Sequence, residues 1–325
     1  MMRATADTSA MDLSNHAIPR FEGAQSRRHR RVAISRLRLM SVLHALRHAR
    51  TVRAARSFVQ FAGWPRSGHS LVGALIDAHP QAAIAHELDT MGLFHKGIAA
   101  RRLPALCLWN TSGFTQDGRW WNGFRYDAQT GSHGVTTPLR VIGDKKGDWA
   151  TRWVLHMPDT LDRLARESPL RPRWILVTRH PADNIATMSL RRSKLYDRLR
   201  IEVSGSFDDA LRKAQADGDI TSQADDDMIA DYSRLARGVA QIKARTDPAD
   251  WIEIVYEDLA HTPAAQLTRL EDFLGLDPDP NWQKAAAAMI RPSRRNSRDL
   301  LHWSEAQRAA VAEIISSHDF LEPYA

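Results

Sequence analysis

The chain contains 325 residues, 43% of them hydrophobic, and has a formal net charge of +7. This length suffices for one large domain or two small ones, each with a substantial core. The charge is uneven: residues 1–60 contain 12 Lys and Arg against 3 Asp and Glu, and the remaining residues contain 33 against 35. Because the basic character is confined to the N-terminal part, the charge argues against nucleic-acid binding by the protein as a whole.

The cysteine and histidine content argues against disulfides and metal sites. Cys107 is the single cysteine, so no intramolecular disulfide can form, and the 14 histidines lack the Cys/His spacing of structural zinc sites. No window of about 18 residues is apolar and uncharged. Residues 1–20 also lack the apolar core of a secretion signal. We therefore expect no bound metal, no membrane-spanning helix and a cytoplasmic location.

The N-terminal part is expected to have two segments. Residues 1–26 are polar and aperiodic, which is typical of a disordered tail. Residues 27–56 are rich in arginine and predict a basic amphipathic helical arm, since four apolar residues recur at helical spacing: Leu39, Val42, Leu43 and Leu46. Such an arm fits peripheral contact with an anionic membrane or an acidic partner. The alternative is a solvated helix that packs on the body of the protein.

Residues 57–325 are expected to form one catalytic domain. Buried strands are predicted where apolar residues run together, at residues 58–62, 81–85, 139–143, 174–178 and 251–255. Helical patterns lie between and after these strands, which predicts an α/β domain with a central, mainly parallel sheet flanked by helices. Residues 95–138 are aromatic and rich in turn-forming residues, so we expect an insertion or lid there.

The first motif follows the first of these strands. Residues 63–70 read Gly-Trp-Pro-Arg-Ser-Gly-His-Ser and then open a helix, so several N–H groups point to one spot at the positive end of a helix dipole. The spacing fits the loop G-x-x-x-x-G-K-[ST] of nucleoside-triphosphate-binding proteins, but His69 replaces its lysine. The loop is therefore suited to a phosphate-bearing donor other than ATP.

The second motif leaves the end of the strand at 174–178. Arg179 can form paired hydrogen bonds with a phosphate, and Thr187 or Ser189, two turns into the next helix, can donate another. Alone, Arg179 would more simply pair with a carboxylate. Two phosphate-type elements at strand ends favour a shared ligand, because open parallel sheets bind ligands at the carboxyl ends of their strands.

Together these motifs resemble the sulfotransferases that use 3′-phosphoadenosine 5′-phosphosulfate (PAPS), a family with a P-loop NTPase-like fold. That family has a loop P-[KR]-S-G-T-[TS], an arginine followed eight residues later by serine, and a strand ending in Y-E-D-L with a later F-L-G. The counterparts here are residues 65–70, Arg179 with Thr187, residues 256–259 and residues 273–275. His69 departs from the usual threonine and Thr187 from the usual serine. The resemblance covers about residues 58–320.

The resemblance implies a donor site. The loop would hold the 5′-phosphosulfate, Arg179 and Thr187 the 3′-phosphate, and Tyr256 would lie near the adenine. A late basic loop in the family closes over the 3′-phosphate, which makes Ser293, Arg294 and Arg295 candidates, although a basic run is also compatible with a solvated surface. The loop residues implied in donor binding are Arg66, Ser67, Gly68, His69 and Ser70.

The branch of the family with arginine in the loop, which includes protein-tyrosine and many bacterial sulfotransferases, also shows L-x-D-A-H-P, matched by residues 75–80. A glutamate 21 residues after the loop arginine is the base there, which implies Glu87. His86 is a competing base, and its alternative is a local hydrogen bond at a strand end. Arg66 and Lys145 would stabilise charge on the sulfuryl group, without a metal.

The expected activity is in-line transfer of a sulfuryl group from PAPS to a hydroxyl or amine of a small molecule, sugar, lipid or peptide, with 3′,5′-bisphosphoadenosine (PAP) as product. Trp109, Trp120 and Trp121 fit either an acceptor pocket or the core of the insertion. Two alternatives are a P-loop small-molecule kinase, which lacks its loop lysine here, and a non-enzymatic, nucleotide-regulated, membrane-associated protein.

Overall fold

The structure is a computed structural model that describes residues 18–20, 30–32, 34–121, 124–127, 138–193, 213–214, 216–218, 223–290 and 296–325. Its strands are β1 (Ile18–Arg20), β2 (Arg30–Val32), β3 (Ser57–Ala62), β4 (Ala82–Ala85), β5 (Trp120–Trp121), β6 (Phe124–Arg125), β7 (Val141–Asp144), β8 (Arg171–Thr178) and β9 (Trp251–Val255).

The α-helices among these residues, numbered in chain order, are α1 (Ile34–Arg47), α2 (Ala49–Ala54), α3 (His69–Asp77), α4 (Thr90–His95), α5 (Leu103–Gln116), α6 (Gly147–His156), α7 (Thr160–Glu167), α8 (Pro181–Arg192), α9 (Asp226–Ala244), α10 (Tyr256–His261), α11 (Pro263–Leu274), α12 (Pro280–Met289) and α13 (Glu305–Ser316). No helix of the described ranges is long and apolar enough to span a bilayer.

The centre of the fold is a five-stranded sheet in the order β4-β7-β3-β8-β9, with every neighbouring pair parallel. All six residues of β3 are buried, as expected for a parallel strand covered on both faces. Helices flank the sheet, so the predicted α/β class and the mainly parallel sheet are confirmed. The carboxyl ends of the five strands share one edge, and the loops after β3, β4, β7 and β8 meet there.

Two hydrophobic cores cover the two faces of the sheet, because successive side chains of a strand point to opposite sides. Phe58 of β3 lies in the core that contains residues of α5, α6 and α9. Its neighbour Val59 lies in the core formed with α3, α11 and α12. In the second core the Trp282 indole donates a hydrogen bond to the Leu75 carbonyl at 2.7 Å, which joins α12 to α3.

The segment 95–138 has more regular structure than its sequence indicated. Helix α5 occupies 14 residues, starts with Pro104 in its first turn and buries Leu103, Leu106 and Phe114. Its apolar residues occur on most sides, so it lacks the one-sided pattern by which surface helices are recognised. The short pair β5–β6 follows. Residues 128–137 lie outside the described ranges, and the role of this segment as a lid stays a prediction.

The N-terminal arm contributes α1 and α2, and α1 packs on α5. Leu37 and Ser41 are fully buried, and the ring centroids of His44 and Trp109 are 5.9 Å apart. Trp109 therefore packs beneath the arm. Most of residues 1–33 lie outside the described ranges, so the predicted disorder of 1–26 stays a prediction.

Candidate active site

The loop at residues 63–70 joins β3 to α3 and is shaped by residues with positive φ. Gly63 has a φ of 123° and Gly68 a φ of 113°, in a region that side chains disfavour, and Arg66 also adopts a φ of 70°. The Gly63 N–H donates to Thr151 Oγ1 at 2.9 Å. The loop thus turns sharply before α3 begins at His69, and the start of a helix is a position at which proteins commonly bind anions.

The side chains of Trp64 and Ser67 stabilise the loop from its buried side. The fully buried Trp64 ring stacks on Tyr232 at a centroid distance of 4.5 Å, and its indole N–H donates to the Tyr232 carbonyl at 2.9 Å. The Ser67 hydroxyl, also buried, donates to the Trp64 carbonyl at 3.1 Å. The Ser67 side chain therefore stabilises the turn itself, and what it offers to a ligand in this conformation is its backbone.

His69 has a structural position in this loop. Its ring is buried, and Nε2 lies 3.0 Å from the Ala62 carbonyl, to which an Nε2–H tautomer donates. A Cβ at Gly147 would lie 2.5 Å from His69 Cε1, so glycine there gives the ring its room. Burial lowers the pKa of His69 to about 4. The neutral ring therefore ties the loop to the end of β3.

The predicted base and its lysine do come together. Glu87, just after β4, accepts hydrogen bonds from Lys145 and from Lys146, both just after β7. Lys145 Nζ also lies 2.6 Å from the Ser70 hydroxyl in the phosphate loop. A carboxylate, an ammonium and a loop hydroxyl therefore form one chain of contacts along the sheet edge.

The charges of the neighbouring lysines determine the pKa of Glu87. Burial raises the pKa of Glu87, but the ammonium groups of Lys145 and Lys146 outweigh burial and hold that pKa well below its usual range. Burial lowers the pKa of Lys145 despite its carboxylate partner. Glu87 is therefore an anion across the ordinary pH range. Sequence reasoning did not include Lys146 in the site, although its position beside Lys145 at a strand end was a usable signal.

The backbone at Glu87 is also unusual, with a φ of 59°. A non-glycine residue in this region costs about 1–3 kcal/mol, and such strain clusters at functional sites. The left-handed turn lets the side chain leave the strand end in the direction of both lysines. The same conformation occurs at Asp89, whose carboxylate caps α4.

The competing base, His86, lies in an aromatic environment. Its ring stacks on Phe114 at 4.2 Å and meets Trp121 edge-on at 5.3 Å, and the Tyr126 ring is 5.7 Å away. Burial lowers its pKa well below 6.5, so the ring is neutral. The stacked, neutral imidazole is thus part of the aromatic packing just after β4. Trp121 lines this group, whereas Trp120 is 47% exposed.

Tyr126 and Arg119 extend the site and were missed by sequence reasoning. The Tyr126 hydroxyl is hydrogen-bonded to Ser70, and burial raises its pKa to about 12 against the opposing charge of Arg66. Arg119 Nε donates to the Tyr126 carbonyl at 2.5 Å, and the Arg119 guanidinium pairs with Asp77 at 2.6 Å in a buried ion pair. The segment after α5 is thereby tied to both ends of α3. No motif spacing signals this link, because the partners come from separate parts of the chain.

A second polar cluster, formed by one guanidinium and two hydroxyls, surrounds Arg179 just after β8. The guanidinium donates to Thr187 Oγ1 and to Ser297 Oγ, each at 3.2 Å, and its carbon lies 5.8 Å from the centroid of the Tyr256 ring. A Cβ at Gly68 would lie 2.7 Å from the Tyr256 ring. Tyr256 therefore lies between the phosphate loop and Arg179. Ser297 was not among the expected residues, while Ser293, Arg294 and Arg295 lie outside the described residues.

The residue after Tyr256 holds the strand ends together. Glu257 accepts a hydrogen bond from the His180 N–H at 3.0 Å and one from the Tyr324 hydroxyl at 2.9 Å. The turn after β8, the start of α10 and the C-terminal residues are thus joined at one carboxylate. This gives the Tyr-Glu pair of the third motif a physical role, since it fixes where Tyr256 and Arg179 stand.

Comparison with known proteins places these residues in a family. A model described as "Sulfotransferase family" matches residues 59–280. The search of curated proteins gave no match. Among solved structures, the chain is similar to the sulfotransferase domain of the Synechococcus PCC 7002 olefin synthase, with 14% identity over 81% of this chain and 94% of that domain, at a TM-score of 0.44.

Two further structures are similar at the same level. Sulfotransferase STF9 from Mycobacterium avium is 14% identical over 88% of this chain and 83% of its own, with a TM-score of 0.45. Mouse sulfotransferase SULT7A1, in a complex with PAP, is 12% identical over 81% and 83%, with a TM-score of 0.40. The family model matches well over half of the chain, and on that basis the protein belongs to the sulfotransferase family.

Proposed function

We propose that this transferase moves a sulfuryl group from PAPS to a hydroxyl or amine acceptor. The observation that carries the proposal is the contact chain from Glu87 through Lys145 to Ser70, in which a candidate base directly adjoins the phosphate loop. Sulfuryl transfer needs a base for the acceptor proton and fixed positive charge for the oxygen atoms around sulfur. In this proposal Glu87 is the base and Lys145 the fixed positive charge, and Ser70 connects them to the phosphate loop.

The donor site proposed here has two cationic ends. The backbone of residues 67–70, with Arg66 and Lys145, would hold the 5′-phosphosulfate, and Arg179 with Thr187 and Ser297 would hold the 3′-phosphate. Glycine at position 68 fits this role, since the ring of Tyr256 closes on it and a side chain would fill the space. When bound, the donor supplies the sulfuryl group and a bisphosphate leaving group.

The base proposed is Glu87, and Lys145 is proposed to adjust its strength. With both lysines in contact the pKa of Glu87 is low, and the carboxylate is a weak base. Lys145 already bonds to Ser70 as well as to Glu87. A turn of its ammonium toward an oxygen anion at Ser70 would remove one positive charge from Glu87, raise that pKa and strengthen the base. Lys146 then remains to orient the carboxylate.

Arg66 is proposed as the loop cation that stabilises negative charge on the sulfuryl oxygens, as in the branch of the family with arginine at this position. Its charge acts on Tyr126 and so reaches the same space as Ser70. No metal is assigned a role, since these cations suffice for the proposed chemistry. The acceptor is proposed to be a small molecule, sugar, lipid or peptide that reaches Glu87 from the side of Tyr126 and Trp121.

Ligand binding and turnover test this proposal separately. PAP at about a hundred times its Kd should raise the free energy of unfolding by about 2.7 kcal/mol without a metal, seen as a higher Tm, while ATP with magnesium should leave Tm unchanged. Radiolabelled PAPS incubated with a panel of phenols, sugars, peptides, lipids and amines should transfer label to at least one class. Stabilisation by ATP with magnesium and not by PAP would replace this function with the kinase alternative.

A further inference from the structure

The outer face of α1 carries a row of exposed leucines. The exposed fractions of Leu39, Leu43 and Leu46 are 64%, 59% and 72%. Their spacing of four and three residues puts them on one side of the helix. Only two other large hydrophobic residues in the described ranges are exposed, Trp120 and Met157, and they lie on separate elements. An apolar row of this kind marks a surface that contacts something other than water.

The leucine row does not belong to the fold's own core. Helix α1 faces the body through Leu37 and Ser41, which are fully buried, and through His44, whose ring packs near Trp109. Arg38 also ties the helix down by donating to the Lys96 carbonyl at 2.5 Å. Because the inner side of α1 is fixed in this way, the leucines project from a helix whose orientation on the body is set.

Arginines continue the row at both ends. Arg36 lies three residues before Leu39, Arg47 four residues after Leu43, and Arg50 four residues after Leu46, and all three arginines are exposed. Residues 34–56 contain six arginines and neither aspartate nor glutamate. In the part of the chain that the structure describes, the ion pairs are formed by other residues. The face is therefore apolar along its middle and positive at its edges.

We propose that the outer face of the helical arm, defined by Leu39, Leu43, Leu46, Arg36 and Arg47 of α1 and Arg50 of α2, binds the surface of an anionic lipid bilayer. A helix lying in the interface plane buries its apolar side chains at the acyl boundary, while flanking arginines reach the lipid phosphates. The 14 residues of α1 extend about 21 Å, so the row can enter along its whole length while the body stays outside.

Charge and shape favour lipid over an acidic protein as the occupant. Lipid phosphates lie in a continuous layer above the acyl chains, so they can meet the arginines at both ends of the leucine row at once. An acidic protein would need both an apolar groove for three leucines and carboxylates around its rim. The proposal does not depend on the transfer reaction, since none of these residues contacts the candidate active site.

Vesicle sedimentation with the full chain tests the proposal. The wild type should co-sediment with vesicles of phosphatidylcholine mixed with phosphatidylglycerol and bind far less to phosphatidylcholine alone. The triple substitution Leu39→Ser, Leu43→Ser, Leu46→Ser should lower the partition coefficient by roughly tenfold or more, since each leucine contributes apolar area. Arg50→Gln should lower it roughly fivefold, and added salt should weaken binding further.

The matched control is Met157→Ser, which removes a hydrophobic side chain of 44% exposure at the end of α6, outside the leucine row, and should leave vesicle binding unchanged. Both leucine and control variants should keep the wild-type Tm, because the replaced side chains are exposed. A folded wild type that ignores anionic vesicles would overturn the proposal. A dimer that the leucine substitutions dissociate would also overturn it, since a second copy of the chain would then cover the leucines. A leucine variant with a much lower Tm would overturn it as well, since the chain's own N-terminal residues would then cover them.

Discussion

At the residue scale, Glu87 is held in an unfavourable backbone conformation and a dry environment by two lysines. The positive φ and the burial each disfavour this arrangement, and the ammonium groups of Lys145 and Lys146 outweigh the effect of burial on the pKa of Glu87. Lys145 and Lys146 bring two ammonium groups to Glu87 beside Ser70, and Lys146 also pairs with Asp148 at 3.6 Å. In the proposed reaction, an anion bound at Ser70 would draw the Lys145 ammonium away from Glu87.

Substituting Glu87 separates its role as base from its role as counter-ion. Glu87→Gln should lower kcat by about 10²–10⁴, since the proton acceptor is lost. Binding of PAP should be retained or tighter, because both lysines lose their carboxylate partner. Calorimetric titration with PAP and a labelled-transfer assay measure the two effects. Wild-type turnover in this variant would remove Glu87 from the mechanism.

Arg179 offers a test at the other end of the proposed donor. Arg179→Ala removes a guanidinium that organises Thr187 and Ser297, and it should weaken PAP binding roughly tenfold to a hundredfold, the worth of a hydrogen bond to a charged group. Ser297→Ala should weaken binding less, in the same direction. The matched control is Arg163→Ala on α7, whose partner is an exposed glutamate. Equal PAP affinity in Arg179→Ala and in the control would show that Arg179 does not bind the 3′-phosphate.

At the element scale, the sequence patterns located the strands and the loop, while contacts between distant segments escaped them. Apolar segments predicted the positions of all five strands of the central sheet. The signal is clearest for β3, which is buried on both faces, and is weaker for β9, whose burial alternates and which contains Glu253. Helix α5 lacks a one-sided pattern and was not foreseen. Glu87 and Lys145 were expected in one site through the family resemblance, and Lys146 could have been added because it is the neighbour of Lys145. Tyr126 and Ser297 became evident from tertiary geometry alone.

The same limit applies to His69. Its residue type suggested a donor to phosphate, yet the ring bonds to Ala62 and occupies room left by Gly147. That pairing depends on a glycine 78 positions later in the chain, on a different loop of the sheet edge. The local sequence does not specify whether the His69 ring donates to a bound phosphate or to the Ala62 carbonyl, because that choice depends on the tertiary fold.

The buried pair of Arg119 and Asp77 should control the segment after α5. Both side chains are almost fully buried, and loss of one partner from such a pair costs about 3–5 kcal/mol. Asp77→Asn should therefore lower Tm and accelerate hydrogen exchange at residues 119–126. It should also lower turnover more than PAP affinity, since Tyr126 is held through Arg119.

The control for this link is Arg125→Gln, which breaks an exposed pair with Asp127 on the same segment and should leave Tm unchanged. Unchanged exchange at residues 119–126 in Asp77→Asn would show that the ion pair does not hold the segment. A combined Asp77→Asn and Arg119→Gln variant should recover part of the lost stability, because no unpaired buried charge remains.

At the scale of the whole molecule, several buried groups couple stability to pH in opposite directions. Burial depresses the pKa of His69 to about 4 and that of His86 well below 6.5, so both stabilise the folded state above pH 6.5 and lose that contribution as pH falls. Burial raises the pKa of Asp144 to about 6, so its contribution is present below about 3.8 and is lost as pH rises through 6. The pH dependence of the free energy of unfolding is the sum of these opposing contributions, so a variant that lacks one titrating group is needed to measure its contribution.

His69→Gln isolates the histidine of the phosphate loop. The glutamine amide can still donate to the Ala62 carbonyl but does not titrate, so the variant should keep most of its stability at pH 7. Between pH 6.5 and about 4 the wild type should lose about 3 kcal/mol more of its free energy of unfolding than the variant does, since His69 must remain neutral in the fold while the unfolded histidine takes up a proton. Urea unfolding at a series of pH values measures this difference. Parallel curves for the two proteins would mean that folding leaves the pKa of His69 unchanged, and the buried position assigned to His69 between Ala62 and Gly147 would then be wrong.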